Sequence, residues 1–446
     1  MNKKFLIGLL VFVAACIIIV GVLLGIYLPR RAKATDVFSF ELPELPETSP
    51  WYGNEEIRIF RQYLRIPTVH PDIDYEPCVQ FLKRQAESLD LPVSVVYPVN
   101  DRNPVVIISW IGSEPNLPSI MLNSHTDVVP VYEEMWTHPP FAADIDEEGK
   151  IFARGTQDTK SLGMIYLAAI RALKHENVTS LRRTIHVTFV PDEETGGALG
   201  MAGFVETDEF KAMNVGYALD EAGVSPTNEI SVYNDERCPW QIEFVSNGPA
   251  GHGSFLYENT AGEKLSYLIS KLMEMRKSEV ERMKTNSLPY GKVTTINLTI
   301  LKGGVQSNVV PPDFTATFDI RLDVDIDHAE FEAKIDQWCE EAGGDIAKNY
   351  LLKTPKAPAS VADSTNPVWM VLQSTTRELG MEVVPTVLAG ATDARFLRRL
   401  NIPSFGFSPL INTPLLLHDH NEFVHADEYL AGIHVYTNLL SKLGEI

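Results

Sequence analysis

The chain has 446 residues, of which 45% are hydrophobic and 22% charged, and a net charge of −21. That length and composition suit a globular protein of two or three domains with a large core. The negative balance argues against nucleic acid and anionic membrane surfaces as partners. Cys16, Cys78, Cys238 and Cys339 show no Cys-x-x-Cys spacing, which argues against a disulfide framework and a thiolate metal site.

In chain order, two lysines precede the apolar run Phe5–Leu28, which is long enough to cross a bilayer. Residues 1–34 therefore read as a single-pass signal-anchor, with the membrane reached through this N-terminal helix only. Ala32-Lys33-Ala34 offers the alternative of cleavage and secretion. Residues 35–51, rich in Pro, Glu and Ser, read as a tether. Helical spacing of Ile57, Phe60, Tyr63 and Leu64 follows, then a second predicted helix over 77–89. Strands are predicted over 93–97, 105–110 and 119–122, a helix over 160–174, and strands over 184–190 and 216–219. Strands alternating with helices predict an α/β sheet covered on both faces. From about Cys238 the pattern changes to strands over 242–245, 293–301 and 314–322, with helices over 263–283 and 328–342. After about Pro355 the first pattern returns. The expectation is one discontinuous larger domain (52–236 and 355–446) carrying a smaller α+β insert (237–354).

Chemistry-bearing residues gather at predicted strand ends. Ile185, Val187, Phe189 and Val190 lead into Asp192-Glu193-Glu194 and then two glycines. Adjacent carboxylates at a strand end repel one another and lose hydration, and a cation relieves both costs. Neighbours on an extended segment point in different directions, so one can bind metal while the other handles a proton. His125 and Asp127 follow another strand and share a face. Asp158 precedes a helix, where its plain role is an N-cap. Asp220-Glu221 ends a short strand, and His418 follows a late apolar run. Mixed nitrogen and oxygen donors of this kind suit zinc, and suit a pair of zincs better than one. Asp192, Asp220, His420 and His425 read as hydrogen-bonded or surface neighbours.

The strings NSHTDVVPV, ARGTQDTKS, FVPDEETGG, ALDEAG, GPAGHGS, SNVVPPD, ATDARF and LLHDHNE occur in that order. They resemble the zinc-dependent metallopeptidase family of aminoacylases, acetylornithine deacetylase and glutamate-removing carboxypeptidases, from about Trp51 to the C-terminus. The resemblance implies a central twisted mixed sheet flanked by helices, and a ferredoxin-like insert serving as dimerisation and lid domain. It implies two Zn2+ per subunit, one held by His125, Asp158 and Glu221 and the other by Asp158, Glu194 and His418. Glu193 would be general base and acid, and Asp127 would orient His125. His252 would serve the partner subunit's site in a homodimer, stabilising the oxyanion. Asn308, Arg321 and Arg395 would bind the substrate. The implied activity is deacylation of small-molecule N-acyl-L-amino acids. The alternatives are a dipeptidase or carboxypeptidase, or an inactive membrane-tethered binding protein. Phe255-Leu256 stands where the family's aminoacylases carry Arg-Phe.

Overall fold

The computed structural model describes Leu42 and residues 44–446. Strands in chain order are β1 (Val93–Val96), β2 (Val105–Trp110), β3 (Ser119–His125), β4 (Asp144–Ile145), β5 (Lys150–Phe152), β6 (Ile185–Val190), β7 (Val215–Asp220), β8 (Glu229–Glu236), β9 (Cys238–Asn247), β10 (Gly251–His252), β11 (Thr295–Gly303), β12 (Val309–Val310), β13 (Asp313–Leu322), β14 (Ile346–Lys353), β15 (Glu382–Leu388), β16 (Ser404–Gly406) and β17 (Phe423–His425).

Eight of them form one sheet in the order β1-β2-β6-β3-β7-β16-β8-β15. The central strands β6, β3, β7 and β16 run parallel, and β1–β2 and β2–β6 are antiparallel, so the sheet is mixed. Every residue of β3 and β6 is buried, as expected where helices cover both faces. On one face lies the helix Lys160–His175, packed against β3, β6 and the C-terminal helix Ala426–Leu443. A Cβ at Gly163 would sit 2.5 Å from the Phe189 ring, so only glycine lets this helix lie so close to β6. The opposite face buries Met121, Val190, Met201, Phe204, Phe210 and Leu397 in a second cluster. These features match the α/β class predicted from the alternating pattern.

Residues 238–353 contain a separate antiparallel sheet in the order β11-β13-β9-β14. The helices Ala261–Asn286 and His328–Glu341 pack on it around Trp240, Phe244, Leu268, Phe318, Phe331 and Ile335. Leu265, Leu268 and Leu272, at i, i+3 and i+7, make the buried stripe of the longer helix. Its first turn is closed by a capping box: Thr260 Oγ1 accepts from Glu263 N at 3.2 Å, while Glu263 Oε2 accepts from Thr260 N at 2.9 Å. This layer begins directly after β8, and β15, which pairs in parallel with β8, follows it.

The single-pass membrane localisation expected from the sequence is corrected. Among the described residues no helix is long and apolar enough to cross a membrane. The longest described helix, Ala261–Asn286, has 26 residues but carries charged side chains along its length. The leader at 1–34 lies outside the described residues.

Candidate metal centre

Because β6, β3 and β7 are parallel neighbours, their C-terminal ends share one edge of the sheet. There the open α/β sheet leaves its crevice for ligands. β3 ends at His125, β6 leads into the 3-10 turn Glu193–Thr195, and β7 ends at Asp220 beside Glu221. His125 Nε2 lies 3.1 Å from Glu221 Oε2 and 2.9 Å from Asp158 Oδ1. Its Nδ1 is 2.8 Å from the Asp127 carbonyl oxygen, so a proton there leaves Nε2 bare toward the carboxylates. The Asp127 carboxylate accepts from Glu193 N at 3.2 Å and Glu194 N at 3.1 Å. His70 Nε2 lies 2.8 Å from its Oδ2. One buried aspartate thus ties the strand carrying His125 to the turn carrying both glutamates.

Two loops complete the cluster. Asp158 directly precedes the N-cap residue of the helix Lys160–His175, but its carboxylate caps nothing. It spans instead from His125 to His418, whose Nε2 is 3.2 Å from Asp158 Oδ2 and 3.1 Å from Glu194 Oε2. The loop of Asp158 is held by Glu422, a fully buried carboxylate that sequence reasoning passed over although it stands in the string LLHDHNE. Gln157 is a second such residue. Its side chain donates to the carbonyls of Pro414 and Phe423 and accepts from Leu416 N. Spacing gave no signal for either, because their partners lie more than 250 positions away.

The electrostatics are those of a crowded acid site. Burial, and then Glu221, hold the Glu193 carboxyl well above its ordinary range. Burial, then Asp158, raise Glu194, and burial raises Glu221 strongly. Burial opposes the charged form of His125, but Glu221 and Asp158 together overcome it and raise its pKa well above normal. Hydrogen bonds to Asp158 and Glu194 push His418 up to about 10. Asp158 moves the other way: burial opposes its ionisation, yet hydrogen bonds from His125 and His418 outweigh that and lower it. Glu194 Oε1 is buried with no hydrogen-bond partner.

These residues fit a divalent metal. Ligand atoms of His125, Asp158 and Glu194 lie within 4.8 Å of one another, as do those of His125, Glu193 and Glu221. Oxygen and imidazole donors in that number suit zinc-like ions. The centre opens into a cavity of about 620 Å³. Arg395 lies on its wall, with Nη1 4.0 Å from Glu193 Oε1 and Nη2 donating to Gly196 O at 2.9 Å. Arg321, paired to Asp319 at 2.8 Å, reaches the wall from the smaller sheet. His252 and Asn308 do not line this cavity. His252 is exposed on β10, with Nδ1 2.8 Å from Ser254 Oγ. The Asn308 carbonyl accepts from Gly253 N at 2.7 Å. Asp192 and Asp220 accept from Leu199 N and Asn123 Nδ2, as neighbours rather than members of the cluster.

The profile of peptidase family M20/M25/M40 matches residues 121–442. Aminoacylase-1 of Mus musculus is 44% identical over 398 residues, covering 89% of this chain and 97% of the mouse protein. The crystal structure of an M20 family metallo-carboxypeptidase from Sulfolobus solfataricus superposes with a TM-score of 0.68 at 21% identity, over 88% of this chain and 99% of that one. The Bacillus subtilis YXEP protein, described as a dinuclear metal binding peptidase of the M20 family, gives 0.63 at 16% identity, over 87% and 97%. With the profile spanning most of the chain and a relative this similar along nearly its whole length, the chain belongs to peptidase family M20/M25/M40.

Proposed function

We propose that this hydrolase removes the acyl group from N-acyl-L-amino acids, releasing a carboxylate and a free amino acid, with two zinc ions per subunit. The carrying observation is the convergence of His125, Asp158, Glu194, Glu221 and His418 in one cluster, with Glu193 beside His125 and Glu221. The likeness to aminoacylase-1 supports the substrate class.

His125, Asp158 and Glu221 would hold one metal, and Asp158, Glu194 and His418 the other, with Asp158 shared. Bound there, the metals supply Lewis acidity and a lowered pKa for the attacking water. Glu193, within reach of the same cluster, accepts that water's proton and returns it to the departing amine. Asp127 fixes the backbone of Glu193 and the orientation of His125 together, so base and ligand keep one geometry. The Arg395 and Arg321 guanidiniums line the cavity, and their positive charge suits the free carboxylate of the amino acid. His252 and Asn308 lie outside the cavity of their own chain and reach a second copy's site in a homodimer, where His252 stabilises the oxyanion. The edge strand β11 supports that assembly, since Leu301 is 60% and the following Val305 91% exposed.

The test is a panel of N-acyl-L-amino acids against unblocked dipeptides, with metal analysis of the purified chain. Release of the amino acid from acylated substrates, abolished by a chelator and restored by zinc, is expected. Faster cleavage of unblocked dipeptides would overturn the substrate assignment.

A further inference from the structure

Outside the ligand cluster, the most heavily bonded buried charge near the site is Glu422. Its side chain is completely buried, and Arg154 Nη1 meets Oε2 at 2.7 Å. The same carboxylate receives four more donors from one short loop. They are Gly155 N at 3.2 Å, Thr156 Oγ1 at 3.2 Å, Gln157 N at 2.6 Å and Asp158 N at 3.4 Å. The Glu422 carbonyl also accepts from Ala153 N at 3.2 Å. A buried carboxylate is costly unless its oxygens are fully engaged, and this one is engaged almost wholly by the loop that presents Asp158.

Glu422 lies four residues after His418. Arg154 Nη1 also donates to the Asp419 carbonyl at 3.1 Å, and Gln157 bonds to both sides of the His418 segment. Hence two loops far apart in sequence are locked in one register, and each carries a donor of the same proposed metal. Gly155 adopts φ +89°, and a Cβ there would meet Val128 Cγ1 at 3.0 Å, so glycine lets the backbone turn its N–H toward the carboxylate. Glu422 does not line the cavity and so does not touch substrate.

We infer that Glu422 is a positioning residue: its carboxylate gathers the 154–158 loop before metal arrives and sets the Asp158–His418 pair at chelating distance. This rests on the metal reading above. Glu422→Gln keeps the volume but places an amide donor against backbone donors whichever way it turns, and removes the charge facing Arg154.

Zinc chloride is titrated into the chelator-treated full chain in competition with a chromophoric chelator. The parent should take up two equivalents, and failure of the parent to bind any would strike the metal reading itself. In Glu422→Gln one equivalent should weaken by about 10–100-fold, the usual loss when a group supporting a ligand is removed. The kcat should fall comparably with KM little changed, and excess zinc should restore activity, which a general folding defect would not allow. Parent-like affinity for both equivalents, or activity insensitive to added zinc, would overturn the inference. If the variant does not fold, amide exchange in the metal-free parent decides. Slow exchange at Gln157 and Asp158 supports a preset loop, and exchange at exposed-loop rates refutes it.

Discussion

Glu193 and Glu194 are consecutive, yet only Glu194 contacts His418, while Glu193 faces Arg395. The division follows from the tight turn after β6, whose two N–H groups are pinned by Asp127. Glu193→Gln should therefore keep its bound metal and lose kcat by a factor of about 10²–10⁴, the usual worth of a positioned general base. Metal stoichiometry and single-turnover rates measured together check this, and near-normal turnover would remove Glu193 from that role. At the same scale, His186 is buried on β6 with Nδ1 2.8 Å from Ser109 Oγ, and burial lowers its pKa to about 4. The unfolded chain binds that proton near pH 6.5 and the native chain resists it. Its contribution to stability is present above pH 6.5 and lost as pH falls toward 4, on the order of 3 kcal/mol in all. The melting temperature of His186→Gln should accordingly fall less than the parent's across that interval; parallel curves would refute the assignment. Most residues of the cluster drew notice in sequence because they follow an apolar run; Asp158, which precedes a helix, and the grouping of the donors came only from the family resemblance. Glu422 and His70 were not legible, because what they hold is backbone and a remote aspartate, and neither relation leaves a local pattern.

Elements built on regular burial were read well. β2, β6 and the helices beginning at Lys160 and Ala261 match their predicted spans closely, because continuous apolar runs and i, i+3, i+7 stripes are strong signals. β15 was missed: Pro385 interrupts it, and it survives as an edge strand paired only with β8. β16 is three residues long, too short for any period to show. β8 and β14 mix charged residues into the run, since β8 pairs near the sheet edge and β14 alternates half-buried and exposed positions. In the smaller sheet, Leu268 is fully buried between its helix and the strands. Leu268→Ala should cost about 2–5 kcal/mol through lost burial and a residual cavity, read from denaturant midpoints. A change below 0.5 kcal/mol, the ordinary surface range, would mean this layer is packed differently.

At the scale of the molecule, the proposed service of His252 to a second copy's site would make assembly part of catalysis. His252→Ala and Asp158→Ala chains should each be nearly inactive. Mixed under conditions where subunits exchange, they should recover up to about a quarter of parental activity, since only hybrid dimers assemble one intact site. No recovery in dimers shown to be hybrid would count against the shared site. A different consequence follows from the sheet order. β16 lies between β7 and β8, although both of those are made long before it. A chain emerging from the ribosome must therefore hold a slot open in its central sheet, with unpaired peptide groups on either side, until Ser404–Gly406 is delivered. Premature termination anywhere before Ser404 leaves that seam unfilled, and such fragments should be ready clients for chaperones and proteases rather than partly working enzymes.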